Sequence, residues 1–426
     1  MKETRIRFKN YYTRYKLYIQ SASLYLFASV FSAIIKILIN PLMARNLSYE
    51  DYAIIGYFTS FSILFLPILN FSIGTYYISN YYIFSEEKRE RVTNTIIISL
   101  LGIGAVSSII VLAAFYVYLK ISNVSFPFWP FAVFNVFQIV FNNFLTLLQV
   151  NYRIKREAKK FVRLTIINTL LWLIIAVFLV VVFKFGAIGS MGANLLVAFV
   201  VGAYCLRKML TKIEFDFSVF KEAIKFCWPL ALSATLWYFL SGVDRVFLEK
   251  LNNTKSFALY NIGMGLSGYF AIFFTAIAQT FEPDIYKAIA EKKTNKLTKI
   301  IAGINVINAI PVFIFILFAT PVTNILTGGR YTDAADFARI LSLRNITTGL
   351  YYSVITIIVG FGFTKAELGL RAIGALICIM MFKLLISKFG FYGAAWGQVI
   401  SFLLMAVIGT GYIYYKFKFS KLYVKN

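Results

Sequence analysis

The side chains best placed to do chemistry in this chain are cations and amides stranded in apolar sequence. Lys36 lies in an otherwise apolar turn and Asn40 follows four residues later, so on a helix the two share one face. Arg45 and Arg245 stand in loop regions that correspond between the two halves of the chain. Arg344 sits in an apolar stretch with no carboxylate at helical spacing, whereas Arg339 has Asp336 three residues before it and can be neutralised there. Such groups recognise anions, and Arg suits phosphate better than Lys because its planar fork donates two parallel hydrogen bonds. Each also has a plainer reading. Lys36 can snorkel to an interface, and Arg245 can pair with the adjacent Asp244. Carboxylates that could carry an ion through apolar sequence are scarce; Asp244 and Glu282, both at run ends, are the candidates for ion coupling or an ion pair. Asn135, Gln138, Asn142 and Gln149 fall on one helical stripe, as do Asn305 and Asn308. Such a stripe either lines a hydrated path or bonds neighbouring helices.

Other chemistry is excluded by composition. His is absent from all 426 residues, which removes His-ligated metals, Ser-His-Asp and Cys-His nucleophiles and imidazole relays. Cys205, Cys227 and Cys378 are far apart, with no CxxC spacing, and read as small apolar side chains. No metal and no cofactor are expected.

The elements that must hold these residues are membrane spans. The chain is 60% hydrophobic and 14% charged, with mean hydropathy +0.75, against about 25% charged in a soluble protein. Apolar runs of about 20 residues cover 17 to 44, 51 to 79, 93 to 119, 127 to 150, 162 to 184, 187 to 206, 226 to 247, 257 to 281, 299 to 319, 334 to 360, 367 to 386 and 391 to 415. The expected fold is thus an all-α polytopic membrane protein with twelve transmembrane helices. The first run is too long for a signal h-region and no small-residue cleavage site follows it, so it reads as a span. Of 43 Lys and Arg, 31 fall in alternate loops and the termini, and nine in the opposite loops. Both termini are therefore expected in the cytoplasm, and the +25 net charge concerns topology, with no nucleic-acid partner implied. No outer loop exceeds roughly fifteen residues, too little to order the donor and acceptor of a glycan enzyme. The loop inventory points to transport and away from catalysis.

A duplication is legible as well. Lys184-Phe185-Gly186-Ala187-Ile188-Gly189 recurs 204 residues later as Lys388-Phe389-Gly390-Phe391-Tyr392-Gly393, and the same offset places Leu47 on Leu251. Six spans per half make a parallel repeat about an axis along the membrane normal, with lobes 1–212 and 213–426 and a candidate pathway between them.

Several segments resemble the polysaccharide-biosynthesis flippases, the Wzx-type O-antigen transporters, which share a superfamily with multidrug and toxic-compound extruders and lipid II flippases. They are Ala44-Arg45-Asn46-Leu47 with Asp51-Tyr52, Trp228-Pro229-Leu230, Asp244-Arg245, Phe257-Ala258-Leu259-Tyr260-Asn261, Pro283-Asp284-Ile285-Tyr286 and Phe389-Gly390-Phe391-Tyr392-Gly393-Ala394-Ala395. Leu47-Ser48, where the family usually has Leu-Gly, and the acidic Asp284 depart from its pattern. The resemblance implies two six-helix lobes around a cavity that opens alternately to each side. It implies a polyprenyl-pyrophosphate-linked glycan as cargo, moved to the outer leaflet of the bacterial inner membrane for O-antigen or capsule. Membrane lipids and other polysaccharide-assembly membrane proteins would be its partners. Lys36, Asn40, Arg45, Arg245 and Arg344 would then meet the anionic head group, and the inward-negative potential would favour its export. Two alternatives remain: a cation-coupled multidrug extruder, and a membrane glycosyltransferase or polymerase using Glu50-Asp51 as acids. Ser48 gives that acidic pair a plainer role, capping the second span with acids in its first turn.

Overall fold

The computed structural model describes residues 24–25, 27–81 and 84–419. The basic segment 1–16 and most of the C-terminal tail, on which the assigned orientation partly rests, lie outside the described residues. All regular structure among those residues is helical: α1 (Phe27–Asn46), α2 (Tyr49–Ser60), α3 (Ser62–Asn70), α4 (Gly74–Asn80), α5 (Glu86–Ile121), α6 (Phe131–Ile154), α7 (Ala158–Ala176) continued by a π-helical turn (Val177–Val182), α8 (Gly186–Met209), α9 (Phe217–Ser241), α10 (Asp244–Glu249), α11 (Thr254–Ala290), α12 (Thr294–Leu317), α13 (Ala319–Leu326), α14 (Ala334–Gly360) and α15 (Thr364–Phe419). Leu38, Ile109, Leu317 and Leu376 are each about 70% exposed or more, and helices that are apolar on their outer faces need hydrocarbon around them. The chain is a multi-pass membrane protein. Among the described residues, ten helices qualify as spans by length and composition. The expected twelve depends on counting α14, which carries Asp336, Arg339 and Arg344, and on dividing the 56-residue α15 at Gly390.

Two expected spans are not continuous. The run 51 to 79 becomes α2, α3 and α4; α3 is cut off from α4 because Phe71 and Ser72 adopt left-handed φ values of 48° and 52°, which no helix of L-residues continues through, whereas Phe61 between α2 and α3 stays right-handed. The run 226 to 247 stops at Ser241 and restarts as α10 beyond Gly242. A Cβ on Gly242 would lie 2.7 Å from the Tyr238 ring and 3.0 Å from the Ser60 carbonyl oxygen.

The repeated glycines do the same work twice. Gly186 and Gly390, 204 residues apart, have φ of 54° and 55°. Three residues on, a Cβ on Gly189 would stand 2.8 Å from the Leu179 carbonyl oxygen, and one on Gly393 would stand 2.0 Å from that of Leu385. In both halves a tight turn is followed by a helix start pressed onto the end of the preceding helix, a closeness only glycine allows.

The described contacts gather into two compact units. Among the described residues, those within 1–46, 66–118 and 128–231 form unit 1, and those within 47–65, 119–127 and 232–426 form unit 2. Local contacts hold each unit together. In unit 2, Gly56 of α2 leaves no room for a Cβ against Asn261 of α11, and the Ser125 amide and hydroxyl donate to Glu249 at 3.0 and 2.8 Å. In unit 1, Ala223 and Cys227 of α9 lie in the core with Tyr76 and Tyr77, and the Tyr76 hydroxyl donates to Glu222 at 2.9 Å.

Candidate functional site

In unit 2 the break after α9 places Asp244 at the first position of α10, with no exposure to solvent. A buried carboxylate must be compensated, and Asp244 has four donors. The Arg245 amide and Nη1 reach Oδ1 at 3.1 and 2.8 Å, the Tyr260 hydroxyl of α11 reaches Oδ2, and Gln398 Nε2 of α15 reaches Oδ2 at 3.2 Å. Arg245, 8% exposed, also donates to the Ser241 carbonyl at 3.1 Å and, through Nε, to Asn261 Oδ1 at 3.5 Å. Its guanidinium lies 5.6 Å from the Tyr260 ring centre. The pair is closed: donors and acceptors are used on each other and on the helices around them.

Arg344 is built differently. It projects from α14 towards the same centre, and both Asp244 and Arg245 act on its charge. Asp244 is already taken. What Arg344 meets is the Met264 sulfur, 3.2 Å from Nη1, and the Phe402 ring, 5.5 Å away; its buried Nε finds no acceptor among the described residues. Two guanidiniums and one carboxylate leave the centre with one uncompensated positive charge, and free donors that an incoming oxyanion could fill.

Unit 1 holds Lys36, whose ammonium stands 5.9 Å from the centre of the Trp172 ring on α7. One turn earlier, Ser32 and Thr169 share a hydrogen bond of 2.7 Å. Trp172 Nε1 in turn donates to Asn194 of α8 at 2.8 Å. Lys36 is thus seated on an aromatic face while remaining exposed, and Asn40 is half-buried one turn further on. Arg45 is exposed on the last turn of α1. Read from sequence as counterparts, Arg45 and Arg245 are not equivalent: one is open and the other enclosed, and the 204-residue offset pairs Arg45 with Glu249.

The remaining candidates resolve locally. Arg339 bonds Asp336 at 2.6 Å and Thr320 at 2.6 Å. Glu282 accepts from the Tyr286 hydroxyl at 2.8 Å. Asn305 donates to Ser353 Oγ at 2.9 Å and Asn308 to the Asn345 carbonyl at 3.0 Å, both across to α14; Gln149 donates to Thr165 at 3.1 Å. These amides bond helix to helix. Ser48 caps α2 with a reciprocal Asp51 bond: its Oγ accepts from the Asp51 amide at 3.1 Å and its own amide donates to Asp51 at 2.8 Å. Sequence reasoning missed Gln398 and Trp172. The one available signal was an amide at 398 in the middle of an apolar run.

A family model described as polysaccharide biosynthesis protein matches residues 18–288. A curated relative, the "Lsg locus putative protein 1" of Haemophilus influenzae, is 23% identical over 282 residues, 63% of this chain and 66% of that protein, just under two thirds of its length. Among solved structures, the chain is similar to an inward-facing multidrug resistance MATE family transporter of the MOP superfamily (TM-score 0.72, 15% identity, 95% of this chain and 96% of that one). It is also similar to the lipid II flippase MurJ in an inward closed conformation (TM-score 0.69, 16% identity, 92% and 87%). A third likeness is to a MOP superfamily transporter from Pyrococcus furiosus, described as having a binding pocket of reverse polarity (TM-score 0.61, 16% identity, 95% and 96%). At these identities the structural likenesses establish the fold, which is that of MOP transporters.

Proposed function

Because the chain belongs to the polysaccharide biosynthesis protein family, we propose that it flips polyprenyl-pyrophosphate-linked oligosaccharide repeat units from the cytoplasmic to the outer leaflet of a bacterial inner membrane. It does so by alternating access, both termini cytoplasmic, with lobes 1–212 and 213–426 as its two repeats, and it supplies an O-antigen or capsule pathway. The observation that carries this reading is Arg344, a guanidinium inside a membrane protein that forms no ion pair with a carboxylate among the described residues. An embedded Arg costs about 2.5–3.5 kcal/mol on insertion scales, and a pyrophosphate passing it recovers that cost in charge-assisted hydrogen bonds. Within unit 1, Lys36, Asn40 and Arg45 of α1 are the candidate contacts for an anionic head group. Arg245 serves as a positioning residue, holding Asp244 closed so that Arg344 stays free.

The experiment is a strain lacking the protein. Lipid-linked repeat units trapped on the cytoplasmic leaflet support flipping; unextended precursors would instead identify a transferase. The fold's likeness to a multidrug transporter favours a second reading, a cation-coupled extruder. Its cargo is cationic, and Lys36 and Arg344 would repel it. Efflux of a cationic dye that is abolished in the deletion strain, with lipid-linked sugars normally distributed, would select the extruder.

A further inference from the structure

In unit 1 the two sides of α1 differ in chemistry. Phe27, Val30, Ile34, Leu38 and Leu42 recur every three or four residues and all are exposed, so at about 100° per residue they form one apolar side for hydrocarbon to cover. Lys36 is exposed as well, yet it points about 180° from the middle of that side, with Ser32 and Asn40 one turn before and after it. This polar side faces α7, through the Ser32–Thr169 hydrogen bond and the Trp172 ring under the Lys36 ammonium. Snorkelling does not explain the lysine. About ten residues, ~15 Å of helix, separate it from Asn46 at the end of α1, and a four-carbon stem is shorter than that.

The ring is fixed independently of Lys36. Trp172 packs against the core cluster of unit 1 that includes Val197 and Val201 of α8, and its Nε1 donates to Asn194 Oδ1 of the same helix at 2.8 Å. We infer that Trp172 is a positioning residue, seating Lys36 so that the ammonium meets a phosphate of the lipid-linked head group, and that Asn194 holds the indole for it. The flippase reading supplies the ligand; the seat stands without it. A loose lysine must be ordered when it binds, whereas an ammonium already resting on an indole has given up much of that freedom. The aromatic face also leaves the charge usable. It attracts the cation through the ring quadrupole and leaves N–H donors for an oxyanion, while a carboxylate in its place would hold Lys36 and neutralise it. Among the described residues Lys36 forms no ion pair.

The test is fluorine NMR of the full chain in detergent, with its five Trp supplied as the fluorinated amino acid. The resonance missing from Trp172→Phe is that of Trp172. It should move in Lys36→Met, a change at an exposed position, and inorganic pyrophosphate should move it in the unaltered chain but not in Lys36→Met. Read at the same resonance, the pyrophosphate Kd should weaken about fivefold in Asn194→Leu, which frees the indole. In vesicles, Trp172→Phe should raise the KM for a lipid-linked oligosaccharide about threefold at an unchanged kcat, because a phenyl ring is a weaker seat. A Trp172 resonance that ignores Lys36→Met or pyrophosphate would overturn the inference, as would a fall in kcat at unchanged KM. Both shifts combined with normal distribution of lipid-linked sugars in the deletion strain would keep the seat as an anion site and remove the flippase reading; trapped sugars with an indifferent Trp172 resonance would do the reverse.

Discussion

Asp244 and Arg344 are both charged and both within unit 2, yet they answer to different requirements. Asp244 is satisfied by donors from its own turn, from α11 and from α15, so replacing it by Ala strands Arg245 in a dry interior. Removing one partner of such a pair costs about 3–5 kcal/mol, and Asp244→Ala should show lower yield and an earlier melt in detergent. Arg344→Ala removes a cation that no carboxylate compensates. Its melting temperature should stay level or rise while export of lipid-linked sugar is lost, and Arg344→Lys should keep part of the export by keeping the charge without the fork. Wild-type export from Arg344→Ala would take Arg344 out of the mechanism. What sequence shows at this scale is whatever lies within one helical turn. Ser48 with Asp51, Asp336 with Arg339 and the adjacency of Asp244 and Arg245 were all legible. Tyr260 and Gln398, 16 and 154 residues from Asp244, come to it only through the packing of α11 and α15, and no local spacing encodes that.

At the scale of elements, apolar length located the helices well and their interruptions poorly. Hydropathy is blind to the left-handed Phe71 and Ser72, because an uncharged turn between apolar stretches reads like a span. The glycine repeat was more informative, since geometry forces its residue type. Gly393→Ala and Gly189→Ala push a methyl group against a carbonyl, an overpacking of about 1–3 kcal/mol. Both should lower the melting temperature, whereas Gly102→Ala in α5, with open space around it, should raise stability by about 0.5–1 kcal/mol through helix propensity. The start of α9 offers a pH test outside the membrane. Asp216 accepts from Ser218 Oγ at 2.6 Å, from the Ser218 and Val219 amides at 2.9 and 3.3 Å, and from Arg91 at 3.2 Å. The Ser218 hydroxyl first, then the amides and Arg91, hold its carboxyl below the ordinary Asp range. A lowered folded pKa makes Asp216 stabilising above its unfolded pKa, with that contribution lost as pH falls through the folded value. The melting temperatures of the native chain and Asp216→Asn should therefore differ at neutral pH and converge on acidification; a gap that persists at low pH would mean that the charge is not what matters.

For the molecule as a whole, the charge pattern bears on what drives the cycle. Cations gather in alternate loops, while four acids in or beside the apolar runs are already engaged: Asp244 by four donors, Glu249 by Ser125, Glu282 by Tyr286 and Glu367 by Arg371. A carboxylate that must release and rebind an ion in each turnover is poorly served by partners of this kind. The proposed pyrophosphate-linked cargo carries its own charge. Moving one elementary charge through 100 mV is worth about 2.3 kcal/mol, so a pyrophosphate with about two negative charges, exported down an inward-negative potential, gains about 4.6 kcal/mol. By the tenfold-per-1.4 kcal/mol rule that is more than a thousandfold bias towards the outer leaflet. In right-side-out vesicles loaded with a lipid-linked oligosaccharide, an inward-negative potassium diffusion potential set with valinomycin should accelerate outward transfer, and collapsing it should slow transfer even with the proton and sodium gradients intact. Transfer that follows either ion gradient and ignores the imposed voltage would refute membrane potential as the driving force and would point back to Asp244 or Glu282 as a carboxylate released during the cycle.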